Sequence, residues 1–133
     1  MILLNRPVAL TGVKMNYNVI QKDNKSYFDI SSAETPVSTE SDVMDLISLC
    51  FEQGINRYML HKDILSEDFF KLSTGLAGIV MQKFVNYRIR AALLVPEEYE
   101  FSQRFKELML ELNKGSDFRV FIRKHEAEAW LLS

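Results

Sequence analysis

The segment that most constrains the fold is a nearly continuous apolar run at residues 89–95, broken only by Arg90 and ended by Pro96. So short a run is typical of a strand buried on both faces, as in a parallel sheet covered by helices. From residue 15 onward, strand patterns alternate with amphipathic helix patterns. Because parallel neighbours are joined by crossovers, this alternation predicts an α/β domain with a mostly parallel sheet.

The opening pair of strands is predicted at residues 17–21 and 27–30, around an Asp23-Asn24-Lys25 sequence that favours a tight turn. Further strands are predicted at residues 55–61, 89–95 and 118–123. Four helices are predicted at residues 42–53 with Ser41 as N-cap, from Ser73 or Thr74 to residue 87, at residues 102–114 and at residues 124–132. The order is ββαβαβαβα, with about five strands, in two or three layers and with the strand order left open.

Residues 1–14 read differently from the rest of the chain, and Met15 directly precedes the first clear strand pattern. One hypothesis is that Met15 is the native start and the preceding residues are an extension. The other is an added edge strand, from residues 2–4 or 8–10. Residues 15–133 are predicted to form a single domain.

Composition limits the class of protein. The chain has 133 residues, 47% hydrophobic and 26% charged, which is typical of one globular domain. A net charge of -2 gives no electrostatic reason to expect a nucleic-acid partner. Cys50 is the only cysteine, so the disulfide-stapled secreted class is excluded. No apolar run approaches the roughly 20 residues of a transmembrane helix, and we expect a cytoplasmic protein.

The sequence offers little catalytic chemistry. His61 and His125 are too far apart to form a zinc-protease motif, and His61, at the end of a strand, is the better candidate for a ligand-lining residue. No second residue is spaced to pair with His61. The glycine-containing segment at residues 74–78 has no phosphate-loop lysine. We therefore predict no catalytic residue, no metal and no cofactor, and an enzyme is not favoured.

The most informative segment precedes the second helix. Ser73 and Thr74 can each cap that helix through a hydroxyl, and Gly75 and Gly78 leave its first turns without a Cβ. One interpretation is capping with tight packing of the helix on the sheet. The other is a surface for a phosphate or a partner, because helix N-termini attract anions.

Four motifs in the second half of the chain resemble those of a bacterial domain-of-unknown-function family, number 4180. They are Phe69-Phe70-x-Leu72-x-Thr74-Gly75-Leu76-Ala77-Gly78, Gln82-Lys83-Phe84-x-Asn86-Tyr87, Glu111-x-Asn113-Lys114-Gly115 and Glu126-Ala127-x-x-Trp130-Leu131. The resemblance covers about residue 17 to the C-terminus. The family has no established activity, so the resemblance implies no function.

The order of elements is also similar to that of the STAS domain of anti-sigma-factor antagonists and of SpoIIAA-like proteins. In that fold the second helix follows Asp-Ser-Ser/Thr-Gly-Leu, whose first serine is phosphorylated by a partner kinase. The resemblance aligns this motif with residues 72–76, which makes Ser73 the phosphoacceptor, Thr74 the second hydroxyl and Gly75 the glycine. The aspartate position is Leu72 here.

These observations favour a non-enzymatic regulatory module that binds a protein partner through residues 68–83. The alternative is a carrier of an apolar small molecule or lipid. Its pocket is predicted to be lined by Phe69, Phe70, Met81, Phe84 and Tyr87, with His61 as a further candidate.

Overall fold

The computed structural model describes the backbone of residues 2–10 and 13–133, and the side chains from Met15 onward. Its strands are β1, Ile2–Leu10; β2, Val13–Lys22; β3, Lys25–Ala33; β4, Arg57–His61; β5, Arg90–Leu94; and β6, Phe118–Phe121. Its helices are α1, Glu40–Gln53; α2, Leu76–Asn86; α3, Gln103–Leu112; and α4, Lys124–Leu131. From β2 onward the predicted order ββαβαβαβα is confirmed.

The described strands form a mixed sheet in chain order, β1 to β6. Among the five strands from β2 to β6, the β2–β3 pair is antiparallel and the other three pairs are parallel. The predicted tight turn joins β2 to β3, and both Asp23 (φ 55°) and Asn24 (φ 65°) are left-handed, as hairpin turns of this kind require. The mostly parallel sheet is therefore confirmed.

Helices cover both faces of the sheet, which makes three layers. One face of β3 and β4 packs on α1, α2 and α3 through residues that include Phe28, Ile30 and Leu60. The opposite face packs on α4, where Trp130 and Leu131 meet Met59 and other residues of the sheet. A sequential parallel order with crossovers of one hand places α1, α2 and α3 on the same face, so α4 alone covers the second face.

The strand β5 is buried on both sides, as its apolar run predicts. Ala91 and Leu93 belong to the larger core under α1, α2 and α3, whereas Ala92 belongs to the smaller core under α4. All three side chains have no exposed surface. The continuous apolar pattern therefore reflects burial of β5 on both faces, as predicted.

Two predicted helix starts are wrong. The N-cap of α1 is Thr39, not Ser41, because Thr39 and Asp42 form a reciprocal capping box. The helix α2 begins at Leu76, because the preceding residues form three short 3₁₀ turns, Lys62–Ile64, Glu67–Phe70 and Leu72–Thr74.

A side chain occupies the outer edge of β6. The Asn113 amide, just after α3, accepts from the backbone N–H of Val120 at 2.9 Å and donates to its carbonyl at 3.5 Å. The N–H and C=O of Val120 point away from β5, toward the outer edge of the sheet. Asn113 therefore satisfies the two backbone groups with which a seventh strand would pair.

The strand β1 pairs antiparallel with β2 at the other edge of the sheet. Met1, Thr11 and Gly12 of the proposed extension lie outside the described residues. The choice between Met1 and Met15 as native start stays a prediction, which N-terminal sequencing of the native protein tests.

Within the part of the chain that the structure describes, every helix is too short or too polar to cross a lipid bilayer.

Candidate functional site

The connection between β4 and α2 is a well-anchored loop on the surface. Phe69 and Phe70 are buried, with 0% and 5% of their surface exposed, and both pack against Phe105 of α3. Earlier in the loop, Ile64 and Ser66 bond to the backbone of Val37, which lies between β3 and α1. The Val37 N–H donates to Ile64 C=O, and the Ser66 N–H donates to Val37 C=O. These contacts fix the loop that carries the residues predicted as a phosphoacceptor or partner site.

Thr74 uses its hydroxyl to close the last turn of this loop. Its Oγ1 lies 2.6 Å from the carbonyl oxygen of Asp68 and 2.9 Å from that of Lys71. The same oxygen accepts from the N–H of Leu76 at 3.3 Å. The Thr74 hydroxyl is therefore committed to the backbone and is not available for other chemistry.

Ser73 lies beside Thr74 with its side chain exposed, and within the described residues its hydroxyl has no hydrogen-bond partner. Of the two hydroxyls predicted to cap α2, that of Thr74 accepts from the N–H of Leu76, the first residue of the helix, whereas that of Ser73 caps nothing. Of the two predicted hydroxyls, the structure leaves only that of Ser73 free for a reaction or a partner.

The two glycines of the motif differ in their role. Gly75 has a φ of 82°, a left-handed conformation that glycine adopts without strain. Gly78 lies in the first turn of α2, is exposed, and would meet nothing within 4 Å if it carried a Cβ. The interpretation that Gly78 allows tight packing on the sheet is therefore wrong, because this position faces open space.

The six residues predicted to line one apolar pocket do not come together. Phe69 and Phe70 are core, and Tyr87 packs edge-on against Phe51 at 5.5 Å. Met81 and Phe84 line a groove of about 220 Å³ between α2 and β6. His61 lies at the far end of β4, away from this groove. The five apolar residues share the larger core, but only Met81 and Phe84 line the groove, and His61 lies at the opposite end of the sheet.

His61 has a partner that the sequence analysis missed. Its Nε2 lies 2.6 Å from Oδ1 of Asp29, and Nζ of Lys124 lies 2.9 Å from Oδ2 of the same carboxylate. Asp29 is 4% exposed and is the only buried charged residue in the described part of the chain. The signal in the sequence was a single polar residue inside an apolar strand, between Phe28 and Ile30.

The electrostatics of this cluster favour an ionised Asp29. Burial raises the pKa of the Asp29 carboxyl, but the hydrogen bonds from His61 and Lys124 outweigh burial and hold that pKa below its ordinary value. The carboxylate is therefore ionised at neutral pH and orients the imidazole.

His61 lines a cleft of about 290 Å³ beyond the carboxyl ends of β3, β4 and β5. In a parallel sheet this edge is a common place for ligands. Among the described residues, no three His, Cys, Asp or Glu side chains are grouped to hold a metal ion.

Fold and site together define a small α/β domain with an exposed, free serine before its second helix and an oriented histidine at the carboxyl edge of its sheet. A family model described as "Domain of unknown function (DUF4180)" matches residues 22–131. The chain belongs to this family, as its motifs predict, although the match begins at residue 22 rather than at about residue 17. Comparison with curated proteins and with solved structures gives no match.

Proposed function

We propose that this protein is a non-enzymatic, cytoplasmic regulatory module of the STAS/SpoIIAA-like type, which binds a protein partner through residues 68–83. The observation that carries the proposal is the Ser73 side chain, which is exposed and free of hydrogen bonds within the described chain, on a loop fixed by the bonds of Thr74. A partner reaches such a hydroxyl without first breaking a bond in the domain.

The order of elements also supports this proposal. The sheet runs in chain order with α1, α2 and α3 on one face, and the Ser-Thr-Gly motif immediately precedes α2. A serine at that position is the phosphoacceptor in the STAS domains that the sequence resembles. Leu72 in place of their aspartate predicts a kinase with a different recognition surface.

Phosphorylation would change this surface strongly. The Ser73 oxygen takes the terminal phosphoryl group of ATP, ADP leaves, and the hydroxyl proton is released to solvent. The product adds nearly two negative charges to the exposed surface at Ser73. We expect a partner that recognises the unmodified surface to dissociate, because the added charge must be desolvated at the interface.

The experiment compares phosphate transfer to three purified proteins, wild type, S73A and S41A, in a soluble extract of the cells that make this protein. Ser41 is the matched control because its side chain is also exposed and makes no hydrogen bond within the described chain. Radiolabelled ATP should label the wild type and S41A but not S73A. Equal labelling of S73A, or no labelling of any of them, contradicts the proposal.

A second candidate function is the carrier of an apolar small molecule, and the groove between α2 and β6 favours it. Phe84 and Phe118 are buried at this groove, Met81 and Leu112 are half-buried, and Glu111 and Asp117 also line it. Its 220 Å³ is below the range of about 300–1,000 Å³ that is usual for drug-sized ligands, so it suits a short molecule better than a lipid chain.

Native mass spectrometry of gently purified protein tests this carrier function. A bound apolar molecule should be lost on denaturation and should be absent from M81W, in which the indole fills the groove. Wild-type protein that is free of ligand, or M81W that retains the ligand, argues against a carrier at this groove.

A further inference from the structure

The cleft at the carboxyl ends of β3, β4 and β5 is a second surface, separate from Ser73. Its polar lining comes from Ser31, His61, Lys62 and Asp63, and its apolar lining from Leu94, Val95, Pro96 and Ile122. His61 is 28% exposed, so its ring reaches the cleft while it remains bonded to Asp29. The volume of about 290 Å³ accommodates a small organic molecule.

The bond to Asp29 determines which nitrogen of His61 is free. An ionised carboxylate can only accept hydrogen bonds, so at 2.6 Å from Oδ1 the Nε2 atom carries the proton. In the neutral ring, Nδ1 is then an acceptor. Within the described residues, Nδ1 has no protein partner.

The rest of the cluster keeps the ring in this orientation. Oδ2 of Asp29 is occupied by Lys124 from the first turn of α4, at 2.9 Å, so the carboxylate is held from two elements. If the imidazole rotated away, Oδ1 of the buried carboxylate would lose its hydrogen bond, which is unfavourable. The acceptor atom of His61 is therefore held in a fixed orientation before any ligand binds.

The charges near the cleft argue against an anionic ligand. The Lys62 ammonium bonds Glu67 at 2.8 Å and lies 4.2 Å from the centre of the Tyr99 ring. The Lys124 ammonium is engaged by Asp29. With Asp63 also in the lining, these carboxylates outnumber the two lysines, so the cleft has no surplus of positive charge to attract a phosphate or carboxylate.

We propose that this cleft binds a small, uncharged or cationic molecule that carries an N–H or O–H group on an apolar ring or chain. The donor group bonds Nδ1 of His61, and the apolar part packs on Leu94 and Ile122. Ile122 is 53% exposed, so it offers apolar surface that such a ligand would cover. This site is independent of the regulatory function proposed for Ser73.

Nuclear magnetic resonance of the full chain, with labelled histidine rings and isoleucine methyl groups, tests the site. The free protein should show the Nε2–H tautomer at His61. The probes are indole, benzyl alcohol and benzylamine, compared with 1-methylindole, benzyl methyl ether and benzyltrimethylammonium, which keep the apolar ring but have no N–H or O–H donor. We expect at least one probe to shift both the His61 Nδ1 and Ile122 methyl signals, and its methylated counterpart to bind about tenfold more weakly, the usual effect of one lost hydrogen bond.

The matched controls are the variants H61F and H125F. His125 is exposed on α4 and its side chain makes no hydrogen bond within the described chain, so H125F should bind like the wild type. H61F should lose the discrimination between a probe and its methylated counterpart. Should H61F fail to fold, I122A removes the apolar contact at an exposed position and should weaken binding several-fold.

The proposal would be overturned by the Nδ1–H tautomer in the free protein, by no shift with any of the three probes, or by equal affinity for a probe and its methylated counterpart. A stronger response of His61 to inorganic phosphate or acetate than to the probes would also overturn it.

Discussion

Asp29 shows how one buried carboxylate can determine both local stability and the chemistry of a neighbour. Replacing it with alanine leaves His61 and Lys124 without their shared acceptor. We expect D29A to lower the free energy of unfolding by about 1–3 kcal/mol, the usual loss for hydrogen bonds to a buried charged group. Urea denaturation measures this, with D63A as the control, since the Asp63 side chain is 91% exposed. An equal loss in both variants would contradict this role of Asp29.

Asp29 also makes the stability of the domain depend on pH, in a direction that its lowered pKa determines. Because the pKa of Asp29 is lowered on folding, its contribution to stability is complete above the ordinary carboxyl pKa of 3.8 and is lost as the pH falls through the lower, folded value. Glu128, Glu67 and Asp42, whose pKa values are also lowered, act in the same direction. We expect acid-induced loss of stability to be shallower in D29N than in the wild type below about pH 4. Parallel curves of stability against pH for D29N and the wild type would contradict the lowered pKa of Asp29.

Replacing each of the two glycines in residues 73–78 by alanine should change the stability of the domain in opposite directions. Gly75 is left-handed, so G75A should destabilise the domain by about 1 kcal/mol or more. Gly78 has open space around it inside a helix, so G78A should stabilise the domain by about 0.5–1 kcal/mol. Thermal denaturation measures both. A stabilising G75A would show that its conformation is not required.

The histidine site could be predicted from the sequence only in part. His61 was identified because it ends a strand, but Asp29 is 32 positions earlier, and their contact depends on the parallel register that pairs Asp29 with Met59. Sequence spacing along one element contains no such information. By contrast, Ser73 and Gly75 could be proposed together because they lie within one short motif.

At the scale of the element, β6 depends on a side chain outside the sheet. Asn113 satisfies both outer backbone groups of Val120, so N113A should expose a strand edge. We expect N113A to lose about 1 kcal/mol of stability and to self-associate more readily at high concentration. Denaturation and analytical ultracentrifugation measure these changes, with K114A as the exposed neighbouring control. A monomeric N113A of unchanged stability would contradict this role.

Elements with regular periodicity were predicted well, and the irregular connection was not. The buried faces of α1 and α4 follow from apolar spacing alone. The start of α2 was placed too early, because residues 62–74 form successive 3₁₀ turns whose anchors, Phe69 and Phe70, are tertiary contacts. Local propensity does not encode those contacts.

At the scale of the whole molecule, α4 is the only described helix that covers the second face of the sheet. Trp130 packs on Phe121 of the edge strand, with the guanidinium of Arg90 4.2 Å and that of Arg119 5.2 Å from its ring. We expect W130A to destabilise the domain by about 3–5 kcal/mol, since a large side chain leaves the smaller core. Denaturant unfolding measures this loss. A loss below about 1 kcal/mol would mean that α4 is not needed to cover that face.

The class of fold followed from the alternation of strand and helix patterns, but the order of the strands did not. Alternation predicts crossovers, and a crossover is compatible with several neighbours in a sheet. The sequential order was fixed only by pairings such as Phe28 with Tyr58 and Ala91 with Phe118, which join distant parts of the chain. Because of that order, α4 is the only described helix that covers one face of the sheet.

The central claim is that Ser73 is a regulatory phosphoacceptor. The most direct measurement is the intact mass of the protein isolated from the cells that make it, before and after phosphatase treatment, followed by peptide mapping. The account predicts a fraction that carries one phosphate group, removed by phosphatase and mapped to Ser73. Protein that is unmodified under every growth condition examined, or phosphate found only at another residue, would contradict it.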